Sequence, residues 1–309
     1  MPGQWGRMRT MNSATSQHAS AAAMDPYMTW LKNSRSTALF EAGGIWWRPY
    51  QHALVPASPK PEAVALQEPE AQELLKKSGT LFLRYFTRTF DEPTAFWYTA
   101  CREYRFEKLS GDMRRKIRRA RERCEVRQVD AEWMSTHAYG CYAAAFGRYA
   151  NAWPEPRETF EKVCREAAGG PFEFWAAFVD GTLAAFTKVV TGGDYAAAVV
   201  TKLHPDFLRY RPGYALRDSL LTTYVARQGK PVTDGFRSVA HETQQHDHLM
   251  MFGYQRVFCD LQIIYRPAVR TFVRFCYPFR SLVDRIPATQ PTAHLRSLLR
   301  QEQIRRSFQ

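Results

Sequence analysis

The chain has no apolar run of the roughly eighteen residues that a membrane-spanning helix needs, so no transmembrane segment is expected. Arg7 and Arg9 near its start have no apolar stretch behind them, which argues against a secretory signal and makes the cytoplasm the expected compartment. Its six cysteines (Cys101, Cys124, Cys141, Cys164, Cys259 and Cys276) form no Cys-x-x-Cys pair, and reduced core residues are expected rather than a disulfide framework or a zinc site. Histidine is dense only at His241, His246 and His248. On a helix His246 and His248 stand about 200° apart, a poor arrangement for sharing one ion, and no metal is expected. There is no Gly-x-Ser-x-Gly elbow, so nothing points to a serine nucleophile of the hydrolase kind.

What is present is a core-forming composition with a lopsided charge. At 309 residues, 45% hydrophobic and 14% aromatic, the chain can bury a large core and divide into a main domain with appendages. Residues 111–123 hold seven basic and two acidic residues, and residues 268–309 hold eight arginines and two acids. Together they supply eleven of the thirteen net positive charges, which disfavours a nucleic-acid coat over the whole surface and makes any anionic contact local. In the first cluster Met113, Ile117, Ala120 and Cys124 form an apolar stripe at helical spacing. Such a helix docks through its stripe, leaving its arginines for solvent or for a phosphate-rich partner such as tRNA or anionic lipid. In the second, arginines alternate with Phe272, Phe275, Tyr277, Phe279 and Leu282, a composition suited to peripheral contact of residues 268–286 with an anionic membrane surface at the inner face.

One segment has the layout of an anion site. A β-prone run, Tyr195 to Leu203, leads into His204-Pro-Asp-Phe-Leu-Arg-Tyr-Arg-Pro-Gly-Tyr-Ala-Leu216, where Pro212 and Gly213 open a helical pattern continued by Leu216, Leu220, Leu221, Tyr224 and Val225. The first N–H groups of a helix lack intrahelical partners, and Arg209 and Arg211 add charge and forked donors, so a phosphate-bearing cofactor fits there. The same Pro-Gly pair is also ordinary turn chemistry. Upstream, Phe172 to Val190 reads as two strands joined at Asp180-Gly181, a strong hairpin signal, and three antiparallel strands precede the turn. Downstream come a strand over Val232 to Val239, a helix over Thr243 to Phe252 ended by Gly253, and a strand over Val257 to Tyr265.

This order, with the turn it frames, resembles the Gcn5-related N-acetyltransferase superfamily, whose pyrophosphate loop reads Arg/Gln-x-x-Gly-x-Gly/Ala. Gly213 and Ala215 match its small positions, while Tyr210 stands where the family has Arg or Gln and is flanked by Arg209 and Arg211. The resemblance implies acetyl-CoA or another acyl-CoA as acyl donor, with Arg209, Tyr210, Arg211, Gly213, Tyr214 and Ala215 as the binding residues. Leu249-Met-Met-Phe-Gly253 resembles the family's helix-glycine ending, but Leu249 occupies the position at which the family often has a tyrosine acting as general acid. Lys108 to Val126 is similar to the FemAB-like branch, where a basic helix precedes the first strand; that branch includes acetyl-CoA users and aminoacyl-tRNA users.

The expected fold class is α/β with a mixed α+β sheet: an acyl-CoA N-acyltransferase-like core over 111–267, a small N-terminal β-containing subdomain over 41–110, and a basic helical tail over 268–309. The first forty residues, rich in Ser, Ala, Gln and Met, are expected to be unstructured. Within 41–110, Thr80 to Phe90 alternates like a single strand, and the many aromatics are expected in the core.

Transfer of an acyl group to an amine needs a base for the amine proton, a donor toward the developing oxyanion and a departing thiolate; positioning does much of the work and no side-chain nucleophile is required. Candidate bases near the open strand ends are Glu173, Asp194, His204, His241 and Glu242. Glu242 is preferred because it follows a strand and precedes a helix, and His204 is second; Glu242 at a helix start also simply complements the helix dipole. Three functional readings follow: an acyl-CoA-dependent transferase acting on a small-molecule amine, an aminoacyl transferase fed by charged tRNA, and a non-catalytic member that binds anionic partners through its basic tail.

Overall fold

The computed structural model describes residues 25–34, 37–147, 153–239, 245–283, 285–286 and 290–308. Among them two sheets carry the fold. The smaller contains Phe40–Ala42 (β1), Ile45–Tyr50 (β2), Ala53–Pro56 (β3) and Phe82–Tyr85 (β4), and is completed by Gln262–Tyr265 (β13) beside β4. The larger contains Thr89–Phe90 (β5), Phe96–Cys101 (β6), Glu125–Val129 (β7), Phe172–Val179 (β8), Thr182–Thr191 (β9), Ala196–Leu203 (β10), Val232–Phe236 (β11) and Gln255–Cys259 (β12), in the order β5-β12-β6-β11-β10-β9-β8-β7. The expected mixed α/β class is the one observed.

Helices Pro26–Ser34 (α1) and Glu68–Ser78 (α2) belong to the N-terminal part; Gly111–Arg123 (α3) comes just before β7. Ala131–His137 (α4), Tyr139–Phe146 (α5) and Arg157–Glu166 (α6) lie between β7 and β8, and Pro212–Leu221 (α7) and Gln245–Met250 (α8) flank β11. Pro267–Cys276 (α9), Arg280–Val283 (α10) and Gln290–Arg306 (α11) follow. No helix among the described residues is long and apolar enough to cross a membrane.

The large sheet is covered on both faces. The stripe residues Met113 and Ile117 of α3 join Leu216, Leu220 and Leu221 of α7 against Trp175, Ala185, Val189 and Ala196 of the sheet. On the opposite face Met134, Cys141 and Phe160 of α4–α6 pack on Phe174 and Phe186. Alternate strand residues therefore feed two different cores, as the pleat requires. Asp180 and Gly181 both adopt left-handed φ, 48° and 76°, in the two-residue connection of the β8–β9 hairpin.

Strands β10 and β11 are parallel neighbours paired only at Ala196↔Val232 and Ala197↔Thr233. A register break at Ala198/Val200 keeps β10 on β9 up to Leu203, so beyond Ala197 the two parallel strands diverge. Parallel strands require a crossover, and here it is the turn after β10 followed by α7. A wedge thus opens at the carboxyl ends of β10 and β11, where open α/β sheets form ligand crevices.

Four expectations are corrected. The first forty residues are not all unstructured: α1 buries Met28 and Leu31, and Trp30 packs edge-on against Phe172 with centroids 4.6 Å apart. Residues 1–24 lie outside the described ones. The boundary at 110 does not separate the sheets, because β5 and β6 belong to the large sheet and β13 to the small one. The runs Thr80 to Phe90 and Val257 to Tyr265 each break into two strands in different sheets. The break is made by the buried carboxylate of Asp260, which accepts from Thr87 Oγ1 at 2.6 Å, Thr87 N at 2.7 Å, Arg88 N at 3.1 Å and Gln262 Nε2 at 2.7 Å. Backbone groups that would have continued a ladder are satisfied by this side chain instead, and the paired ribbon turns the corner between sheets. Finally, the C-terminal segment is no free tail: Leu299 and Ile304 are buried, and Tyr265 Oη donates to Glu302 Oε2 at 3.1 Å.

Candidate functional site: an arginine-lined cavity at the wedge

At the end of β10 the chain enters a 3-10 turn, Pro205–Tyr210, and reverses at Arg211 before α7 begins at Pro212. Arg211 has φ 61° and ψ 45°, the left-handed conformation that a side chain normally avoids at a cost on the order of 1 kcal/mol. That conformation turns the Arg211 carbonyl onto the first turn of α7, where it accepts from Tyr214 N at 2.9 Å and Ala215 N at 3.5 Å. Tyr210 is held by its neighbours: its carbonyl accepts from Cys124 Sγ at 3.6 Å, and Arg209 lies over its ring at 4.7 Å.

A cavity of about 300 Å³ opens at this turn, lined by Arg119, Glu122 and Arg123 of α3 and by Arg209, Tyr210 and Arg211. Among the described residues none of its four arginines is in an ion pair with a carboxylate, and Glu122 is the one acid in the lining. Four guanidinium groups against one carboxylate in a concave, helix-terminal site make a strong anion receptor, whose natural complement is a group with several phosphate or carboxylate oxygens.

The placement of α3 depends on a contact with a buried carboxylate. Its stripe residues Met113, Ile117 and Ala120 are buried, and on one flank Arg121 forms a fork with Asp218 of α7, Nε to Oδ2 at 2.7 Å and Nη2 to Oδ1 at 2.8 Å. Asp218 is 2% exposed and also accepts from Tyr104 Oη at 2.6 Å. Arg119 and Arg123, one turn apart on the other flank, are thereby held at the cavity. In the sequence the helix is legibly basic, but nothing there joins Arg119, Glu122 or Arg123 to the turn, because the Arg121–Asp218 contact that does so spans 97 positions.

A charge pair buried on both sides stands at the wedge. Arg217 of α7 reaches Asp234 of β11, Nη1 to Oδ2 at 2.5 Å, and donates to Tyr254 Oη at 2.8 Å. Burial works against the charge on Arg217, but Asp234 and Tyr254 outweigh it and its pKa is raised. The Tyr254 hydroxyl is raised too, chiefly by burial. Asp234 follows Thr233, the last residue of β11 paired with β10, so this cluster ties α7 to β11 where the strands part.

The residues singled out in the sequence are distributed as follows. Arg209, Tyr210 and Arg211 line the cavity. Gly213 does not: a Cβ there would meet Leu203 at 3.2 Å, so its smallness accommodates the end of β10. Ala215 is buried against Ala120, Cys124 and Ala184, and the Tyr214 ring packs on His248 and Phe252. His204 caps the 3-10 turn, its Nδ1 accepting from Asp206 N at 3.3 Å. Glu173 accepts from Tyr224 Oη at 2.5 Å and from Gln128, while Asp194 pairs with Lys60 at 2.6 Å on the surface. His241 and Glu242 lie among residues 240–244, outside the described ones. His246 accepts at Nδ1 from Trp97 Nε1 at 3.0 Å, and burial lowers the pKa of both His246 and His248. Leu249 is 1% exposed within the core.

Residues 107–234, from just before α3 to within β11, match the acetyltransferase (GNAT) domain family. No curated protein sequence matches the chain. Among solved structures, the chain resembles the C-terminal domain of a protein described as a lysylphosphatidylglycerol synthetase from Agrobacterium fabrum, with 9% identity, a TM-score of 0.52, and coverage of 79% of this chain and 88% of that one. L-PGS from Bacillus licheniformis gives 10% identity and a TM-score of 0.49 over 88% of this chain and 95% of that one. FemX gives 8% identity and 0.49 over 75% and 85%. At such identities the first of these bears on the fold alone.

Proposed function

We propose that this chain, whose residues 107–234 match the acetyltransferase (GNAT) domain family, carries out acyl-CoA-dependent transfer of an acetyl or other acyl group to the nitrogen of a small-molecule amine. One observation carries this reading: the four-arginine cavity sits at the start of α7, beside the wedge between β10 and β11. An acyl-CoA is polyanionic at its nucleotide end and carries an extended arm with two amides. Its phosphates suit the cavity, and the arm suits the β11-side edge of β10 beyond Ala197, which has no strand partner among the described residues. The thioester would then lie at the far end of the wedge.

In this reading the amine attacks the thioester carbonyl, a tetrahedral oxyanion forms, and the thiolate departs. The amine proton goes to a base, for which Glu242, six positions after β11 in the sequence, is the proposed residue and His204 the second candidate. Leu249, buried and apolar, cannot protonate the thiolate, so its stabilisation falls to other donors or to water. Thermal unfolding of the full chain with and without acetyl-CoA tests the proposal. Stabilisation that saturates, and that falls about tenfold or more in apparent affinity in Arg209→Ala/Arg211→Ala, is expected. No stabilisation at millimolar CoA or acetyl-CoA sinks it.

An aminoacyl-tRNA donor is the second reading, favoured by one feature: Arg118 lies exposed on the same helix that lends Arg119 and Arg123 to the cavity, extending the positive surface as a longer polyanion would need. Filter binding of tRNA with a steep salt dependence, together with indifference to CoA, supports this donor over the first.

A further inference from the structure

The segment 267–286 has two apolar faces. One is used: Val273 and Val283 are 2% and 9% exposed and pack inward. The other is open to solvent, with Phe272 at 51%, Phe275 at 73%, Phe279 at 50%, Leu282 at 55% and Ile286 at 47% exposure. These five residues follow one another in steps of three and four: four of them lie on α9, the 3-10 turn Tyr277–Phe279 and α10 at helical period, and Ile286 comes just after α10. Phe275 and Phe279 are in ring contact, centroids 6.1 Å apart, outside the core. Scattered apolar side chains on a surface are unremarkable, but five large exposed ones spaced along an already docked segment, two of them in ring contact, call for a second partner.

The charge beside the stripe selects that partner. Arg270, Arg274, Arg280 and Arg285 accompany it, against the single acid Asp284 in the sequence of this segment. Arg270 reaches Glu68 at 3.3 Å and Arg280 stacks on Tyr277 at 4.6 Å. Among the described residues Arg274 and Arg285 have no carboxylate partner. A second copy of the chain meeting this face would set arginine against arginine, whereas an anionic surface neutralises them. We propose that the 272–286 stripe is a peripheral docking surface for an anionic lipid bilayer, its phenylalanines entering the headgroup–acyl boundary and its arginines meeting lipid phosphates. The surface uses no residue of the arginine cavity, so this inference and the acyl-transfer reading stand or fall separately.

The test is co-sedimentation of the full chain with phosphatidylcholine vesicles, with and without phosphatidylglycerol. The chain is expected to pellet with the phosphatidylglycerol vesicles alone and to be released by salt. Phe275→Ser/Phe279→Ser is expected to weaken binding by about tenfold or more while keeping its unfolding midpoint, because both rings are solvent-facing. Arg274→Glu/Arg285→Glu is expected to abolish the preference for phosphatidylglycerol. The inference is overturned if the chain does not pellet with phosphatidylglycerol vesicles, if the phenylalanine variant binds like the parent, or if analytical ultracentrifugation shows a dimer that this variant disperses.

Discussion

Arg211 combines two properties that a substitution can separate, its charge and its left-handed backbone. Arg211→Gly removes the guanidinium from the cavity while placing the residue that tolerates φ 61° best at that point. Stability in urea is expected to hold or rise by up to about 1 kcal/mol, while CoA affinity measured by calorimetry falls about tenfold; a matched loss of both would mean that the arginine acts only through the turn. Arg209, Tyr210 and Arg211 were legible in the sequence because they adjoin Pro212-Gly213, a local signal. Arg119 and Arg123 were not, since a run of arginines on a helix looks alike on every flank until its docked face is fixed. Gly213 illustrates the opposite case: its position was readable, but the side chain it makes room for, Leu203, belongs to the strand before.

Helix α3 holds its place partly through one buried carboxylate, and that dependence is testable. Arg121→Met leaves Asp218, 2% exposed, with the Tyr104 hydroxyl as its remaining polar side-chain contact, and should cost about 3 kcal/mol in urea unfolding. Asp218→Asn/Arg121→Met, which removes both charges, should recover much of that loss; failure to recover would mean that packing, not charge, is what the arginine supplies. The corner between sheets makes a pH prediction. Burial raises the pKa of Asp260, but bonds from Thr87, Gln262 and Arg88 outweigh it and the net shift is downward. A depressed folded pKa stabilises the fold above the ordinary aspartate value of about 4, and this contribution is lost as pH falls through the depressed value. Unfolding midpoints measured down the acid limb should therefore drop less steeply in Asp260→Asn than in the parent. The two strand runs meeting at Asp260 were readable as strands but not as pairs of strands, because alternation continues through the bend and the break comes from a polar contact between Thr87 and Asp260, 173 positions apart.

For the whole molecule, the core's order of hairpin, turn, helix and strand was legible, because each piece carries its own period and punctuation. The limits of the parts were not, because strand exchange leaves no trace in composition. The C-terminal arginines show the same gap. Arg305 and Arg306 hold Glu302 at 2.8 and 2.7 Å inside the fold, though in the sequence they look no different from Arg274 and Arg285. A chain ending at Arg266 should lose about 4 kcal/mol or more, since Val273, Leu299 and Ile304 leave the core with it, and a thermal melt will register that as a lower midpoint. The exchange of strands reaches further still. The small sheet borrows its last strand from beyond residue 261, and the large sheet borrows two from before residue 102. Neither layer owns all of its own strands, so a scanning calorimeter should record one endotherm rather than two. In genetic terms the first 110 residues cannot be traded for another module, because whatever replaced them would have to return two strands to a sheet it does not belong to.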